Sequence, residues 1–74
     1  MTLSARNHLK GTIEDIQWGD VLVLVTVQVG GDAIDSVITR RSAEEMGLKK
    51  GDAVTAVVKA TEVMIAKGLE PPAR

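Results

Sequence analysis

Val21-Leu22-Val23-Leu24-Val25-Thr26-Val27-Gln28-Val29 decides how this chain folds. Every odd position is valine, while the even positions pass from leucine through threonine to glutamine. β-Branched residues repeating with a period of two mark a strand. The first half of the stretch is apolar on both faces, and such a strand is covered on both faces. In a chain of 74 residues, one of those covers is expected from a second subunit.

Working outward, Gly19-Asp20 precedes this strand and Gly30-Gly31-Asp32 follows it. Both are turn signals, so the flanking segments are expected to pair with it as hairpins. Upstream, Leu9 to Trp18 carries Ile13 and Ile16, with Gly11 as a candidate bulge. Downstream, Ala33 to Arg40 places Ile34, Ser36 and Ile38 on one face and Asp35, Val37 and Thr39 on the other. Ser42 with Glu45 three residues later reads as a capping box opening a helix of one or two turns. Gly47 suits the left-handed position that ends it, with Leu48 packing back. Lys49-Lys50-Gly51-Asp52 is a turn. Ala53 to Ala60 is expected as a fourth strand and Glu62 to Lys67 as a fifth.

Three strands, a short helix and two strands is the element order of an all-β, five-stranded OB-type Greek-key barrel. An SH3-like barrel fits the strand count almost as well. One domain over residues 1–67 is expected, with 68–74, which holds Gly68, Pro71 and Pro72, as a frayed tail.

Composition narrows the function. Nine Lys and Arg against ten Asp and Glu give a net charge of −1, without the basic excess of a nucleic-acid binder. The absence of cysteine removes disulfides, zinc-thiolate sites and thiol catalysis. A single His cannot build a multi-histidine metal site, so no protein–metal ligand set is expected. One Trp, with no Phe or Tyr, leaves no base-stacking platform. No stretch approaches the roughly 20 apolar residues that span a bilayer, and Met1 to Gly11 lacks the apolar run of a secretory signal. A cytoplasmic protein with no membrane or nucleic-acid partner is the expectation.

No catalytic constellation emerges. Ser4 and Ser42 lack an evident His–Asp pair, and the carboxylates fall mostly in turns or at strand ends. Two short polar segments stand out instead. Ser4-Ala5-Arg6-Asn7-His8 lies just before the first strand, and Lys59-Ala60-Thr61 lies at the junction of strands four and five. Each combines a hydroxyl, a cation and a small residue. Hydroxyls, backbone N–H groups and a guanidinium are all donors, which suits a bound anion. Read without further context, Arg6 and Lys59 are equally ordinary exposed charges.

Further matches give those segments weight. Ser4-Ala5-Arg6-Asn7 followed by Leu9-Lys10-Gly11 resembles the opening signature of the molbindins, the small molybdate-binding Mop proteins. Val37-Ile38-Thr39-Arg40 with Ser42, then Met46 to Gly51, resembles the middle of that family. Val57 to Ile65 resembles its last two strands. The likeness covers about residues 2–66. Sequences of this type also occur as TOBE domains of molybdate importers and regulators. With its start at Met1 and no ATPase or DNA-binding segment, the chain resembles the free-standing form.

The resemblance implies an OB-type barrel, a homo-oligomer that is expected to be a hexamer, and oxyanions held at subunit interfaces. It implies molybdate as ligand, with tungstate as a close mimic, and no further cofactor. Carried over by position, Ser4, Arg6 and the backbone of Ala5 and Asn7 would line the anion on one side. Lys59, Ala60 and Thr61 would line it on the other. Thr39 and Ser42 are weaker candidates. His8 lies where many relatives have Gln or another polar residue and receives no role.

The chemistry agrees. A tetrahedral dianion offers four acceptor oxygens and no proton, so donors recognise it and an inward carboxylate repels it. Glu62 adjoins Thr61, but on a strand it would face the other way. The expected function is intracellular molybdate binding, as a store or buffer. A ligand-free oligomerisation module and an accessory oxyanion-sensing domain are the alternatives. An OB-fold nucleic-acid binder lacks the aromatics, and an enzyme lacks a residue set. Trp18, Met46 and Met64 are expected to serve in packing, at the core or at an interface.

Overall fold

The computed structural model describes residues 4–68. The elements run β1 (Asn7–Trp18), β2 (Leu22–Val29), β3 (Asp32–Thr39), α1 (Arg40–Glu45), β4 (Ala53–Val58) and a 3-10 turn over Ala60–Glu62. The four strands form one antiparallel sheet in the order β3-β2-β1-β4.

The valine stretch forms a strand with one buried face. Val23, Val25 and Val27 are buried, and with Ile13 and Ala43 they make the core. On β3, Ile34, Ser36 and Ile38 are half-buried while Asp35, Val37 and Thr39 are exposed. The opposite face of β2 stays largely bare, with Leu22 54% exposed. Gly30 supplies the positive φ of the two-residue turn between β2 and β3, a conformation that only glycine adopts without strain.

β1 is the strand that organises the sheet. Its first half pairs with β4, from Asn7 opposite Val58 to Thr12 opposite Ala53. Its second half pairs with β2, from Thr12 opposite Gln28 to Trp18 opposite Val23. The register shifts between Ile13 and Asp15, so Glu14 is the extra residue of a β-bulge. That insertion resolves a conflict of phase. Ile13 and Ile16 are three apart and could not share one face of a regular strand, yet Ile13 is buried and Ile16 packs against the same core.

The bulge is therefore at Glu14, not at Gly11. Gly11 has a different task. A Cβ there would sit 2.4 Å from the Gln28 carbonyl oxygen and 2.8 Å from a Val27 methyl, so only glycine lets the strands approach this closely.

The helix begins earlier than a Ser42–Glu45 capping box requires. Thr39 is the N-cap, with extended backbone, and its hydroxyl oxygen accepts from the Ser42 N–H at 3.1 Å. Thr39 closes β3 opposite Leu22, so the chain turns directly from strand to helix and leaves Ser42 inside the first turn. The other end follows expectation. Gly47 has φ +60°, and the Leu48 N–H donates to the Ala43 carbonyl at 3.2 Å.

The strand expected over residues 62–67 does not form. Ala60–Glu62 is a 3-10 turn, and no regular element follows it through Gly68. β4 ends at Val58 rather than at Ala60. A lone segment needs a partner strand to satisfy its backbone, and Val63, Met64 and Ile65 instead stand 49%, 93% and 91% exposed. The sheet thus has four strands, with β3 and β4 as its two edges. Of the expected tail, Leu69 to Arg74 lies outside the described residues.

Candidate functional site

The site is a consequence of the β1–β4 register. Asn7 opens β1 opposite Val58, the last residue of β4. The residues before Asn7 and those after Val58 therefore leave the same corner of the sheet. Ser4, Ala5 and Arg6 thus lead into the corner that Lys59, Ala60 and Thr61 lead out of, although more than fifty positions separate them in sequence. Ser4, Arg6, Lys59, Ala60 and Thr61 are exposed, and Ala5 and Asn7 are half-buried.

The second segment has a defined local form. Lys59 has extended backbone and precedes the 3-10 turn, and its carbonyl accepts from the Glu62 N–H at 2.9 Å. In a single turn of this kind the first N–H groups, those of Ala60 and Thr61, have no partner within the turn. Because the segment is not a strand, Glu62 is rotated by roughly 120° from Thr61 instead of pointing directly away.

Neither cation at this corner is held in an ion pair, although Glu62 lies in the turn that follows Lys59. Among the described residues the one ion pair is Arg40–Glu44, at 3.5 Å on the helix, so Arg6 and Lys59 have no carboxylate partner there. Two cations, two hydroxyls and a set of backbone N–H groups form an arrangement of donors suited to an anion with several acceptor oxygens.

Thr39 and Ser42 are not part of this group within one chain. They sit at the end of β3, across the sheet from β4, near the Trp18 end of β1. Their hydroxyls are already engaged: Thr39 Oγ1 donates to Ser42 Oγ at 2.9 Å while accepting from the Ser42 N–H. They cap the helix.

One contact at the site was not anticipated. His8 Nε2 lies 3.1 Å from the Ala5 carbonyl oxygen, bridging β1 back onto the preceding segment. Its only sequence signal is a spacing of three residues. At the opposite end of β1, the Arg40 guanidinium lies 5.8 Å from the Trp18 ring centroid, and Trp18 is 46% exposed. Met46 and Met64 are exposed too, so neither packs in the core of the single chain.

No group of three or more His, Cys, Asp or Glu residues arranged to hold a metal ion occurs among the described residues. No helix among them is long and apolar enough to cross a membrane.

Comparison with known proteins shows what the whole chain resembles. The model of the TOBE domain matches residues 3–65. Molybdenum-pterin-binding protein 2 of Clostridium pasteurianum is 47% identical over 66 residues, spanning 88% of this chain and 97% of the relative. A molybdate-binding protein from Sporomusa ovata has a similar solved structure, with a TM-score of 0.86 and 37% identity over 90% of this chain and all of that one. The cytoplasmic molybdate-binding protein ModG, solved with molybdate bound, matches at a TM-score of 0.76 and 43% identity. That match covers 81% of this chain and 43% of ModG.

Proposed function

Because this chain belongs to the TOBE domain family, alongside the molybdenum-pterin-binding Mop proteins, we propose that it binds molybdate as a cytoplasmic store or buffer. Ser4, Ala5, Arg6 and Asn7 line one side of the oxyanion, and Lys59, Ala60 and Thr61 line the other. The observation that supports this reading is the pairing of Asn7 with Val58, from which both donor segments leave the sheet. The relatives' names for what they bind, and a neighbour of known structure that holds molybdate, supply the ligand.

The chemistry of recognition is donation without proton exchange. Arg6 offers parallel N–H donors to two oxygens, Lys59 a compact charge, and Ser4 and Thr61 hydroxyl donors. Tungstate has the same charge and shape and is expected to compete. Sulfate is a smaller tetrahedron of equal charge, so discrimination rests on the size of the assembled cavity. No bond is made or broken, and the protein works as a binder, not an enzyme.

The same reading makes the chain a homo-oligomer, a hexamer in the full form, with the oxyanions at its subunit interfaces. Both sheet edges are free, and between β3 and β4 lies a cavity of about 370 Å³ lined by Ile13, Val27, Ile34, Ile38 and Val54. Val63, Met64 and Ile65 are among the apolar residues left exposed, with Met64 and Ile65 the most so. In this proposal residues 62–67 of a second copy become the fifth strand and close the barrel, which gives both surfaces a partner. An anion held between subunits then stabilises the oligomer by mass action.

Isothermal titration with molybdate, tungstate and sulfate tests the ligand. Saturable uptake of the first two with little heat from sulfate is the expected result. An oligomer that takes up none of them would leave a ligand-free assembly module in its place.

A further inference from the structure

We infer that His8 is a positioning residue for the oxyanion segment: its Nε2–H holds the Ala5 carbonyl and thereby aims the Arg6 backbone N–H at the site. This rests on the molybdate reading given above. His8 is the second residue of β1 and is fixed by pairing with Val57, so its ring projects from an anchored position. Its Nε2 lies 3.1 Å from the Ala5 carbonyl oxygen. A carbonyl oxygen only accepts, so the ring nitrogen facing it must carry the hydrogen.

The consequence follows from the geometry of the peptide unit. The Ala5 carbonyl and the Arg6 N–H belong to one planar group, and no cis peptide bond occurs among the described residues. In a trans peptide the C=O and N–H point in opposite directions. Turning the Ala5 oxygen toward the ring therefore turns the Arg6 N–H away from it. The same contact occupies an acceptor that would otherwise repel an oxyanion beside it. One imidazole thus removes a repulsive dipole and orients an attractive one, without touching the ligand. The charged residues in the segments that flank this corner in sequence are Arg6, Lys10, Lys59 and Glu62.

The test compares the full-length wild type with His8→Ala and His8→Gln by molybdate titration. The alanine variant removes the donor, while glutamine keeps a side-chain N–H of similar reach. Loss of one hydrogen bond of ordinary strength corresponds to about threefold to tenfold, and that is the weakening expected of His8→Ala. His8→Gln should return to within about twofold of the wild type. His8 is exposed, so the melting temperatures of the molybdate-free proteins should coincide. Nitrogen-15 shifts of the neutral imidazole should show hydrogen on Nε2. A His8→Ala variant that binds as tightly as the wild type, a glutamine variant as weak as alanine, or a ring protonated on Nδ1 alone would overturn the inference. A wild type that binds no molybdate would overturn the functional reading itself, an outcome distinct from any difference between variants.

Discussion

Asn7 stands directly opposite Val58 across the antiparallel ladder that joins the first and last strands of the sheet. Two short polar segments from opposite ends of the chain therefore start from one corner of the sheet, the corner to which the proposed site is assigned. Any change that slips the register by one residue would also invert every side chain on β4. The site and the fold are thus fixed by the same hydrogen bonds.

Removing either cation should weaken the ligand without disturbing the fold. Arg6 and Lys59 are exposed and have no carboxylate partner among the described residues. A charge-assisted hydrogen bond contributes about 1.5–3 kcal/mol, so Arg6→Ala or Lys59→Ala should raise the molybdate Kd by roughly 10- to 100-fold. Titration of each variant, with circular dichroism as the control for folding, checks this. Unchanged affinity in both variants would remove these residues from the site.

Gly11 should tolerate no side chain. An alanine Cβ would lie 2.4 Å from the Gln28 backbone oxygen and under 3 Å from methyl groups of Val27 and Val29. The obstruction includes backbone, so the strands must separate, and Gly11→Ala should cost about 1–3 kcal/mol or more. Urea unfolding measures it. A variant as stable as the wild type would show that the close approach of β1 to β2 is dispensable.

The core depends on few residues, so each matters. Ile13 is 1% exposed and lies at the point where β1 passes from β4 to β2. Its backbone also bonds the Gly51–Asp52 turn in both directions, at 2.9 and 2.8 Å. Ile13→Val should cost about 0.5–1.5 kcal/mol, and Ile13→Ala about 2–5 kcal/mol. The alanine loss is a large fraction of the stability of a chain this small. Denaturant midpoints for the pair would give the gradient.

Thr39 and Ser42 separate capping from binding. Thr39→Ala removes the oxygen that accepts from the Ser42 N–H and should cost about 1 kcal/mol in stability. Ser42→Ala keeps that cap and should cost less. Neither should change molybdate affinity per folded protomer. A large loss of affinity in Thr39→Ala at unchanged stability would return this pair to the ligand site.

How much of this was legible in the sequence depends on how local each signal is. The alternation of valines named β2 and its buried face, and the Gly30-Gly31 turn named its hairpin with β3. Gly47 and Leu48 marked the end of the helix. The start of that helix misled, because both Thr39 and Ser42 are good caps. What chooses between them is the strand pairing of Thr39 with Leu22, a contact between distant positions. Glycine is the usual local marker of a bulge, and that marker points to Gly11. The extra residue is Glu14, and the phase difference between Ile13 and Ile16 was the signal that carried it. The expected fifth strand failed for a reason that no single-chain pattern contains: alternation describes a segment's faces but does not supply a neighbouring strand. The two donor segments were visible as motifs, whereas the His8 contact depends on how the chain turns before β1.

The central claim is that Ser4–Asn7 and Lys59–Thr61 together hold molybdate in an oligomer of this chain. Native mass spectrometry of the wild type and an Arg6→Ala, Lys59→Ala double variant, each with molybdate or sulfate, tests it most directly. The account predicts an oligomeric wild type, at six times the protomer mass, that gains a defined set of molybdates and ignores sulfate. It predicts that the double variant assembles but gains few or none. Equal molybdate uptake by both proteins, or a wild type that assembles without taking up any oxyanion, would contradict it.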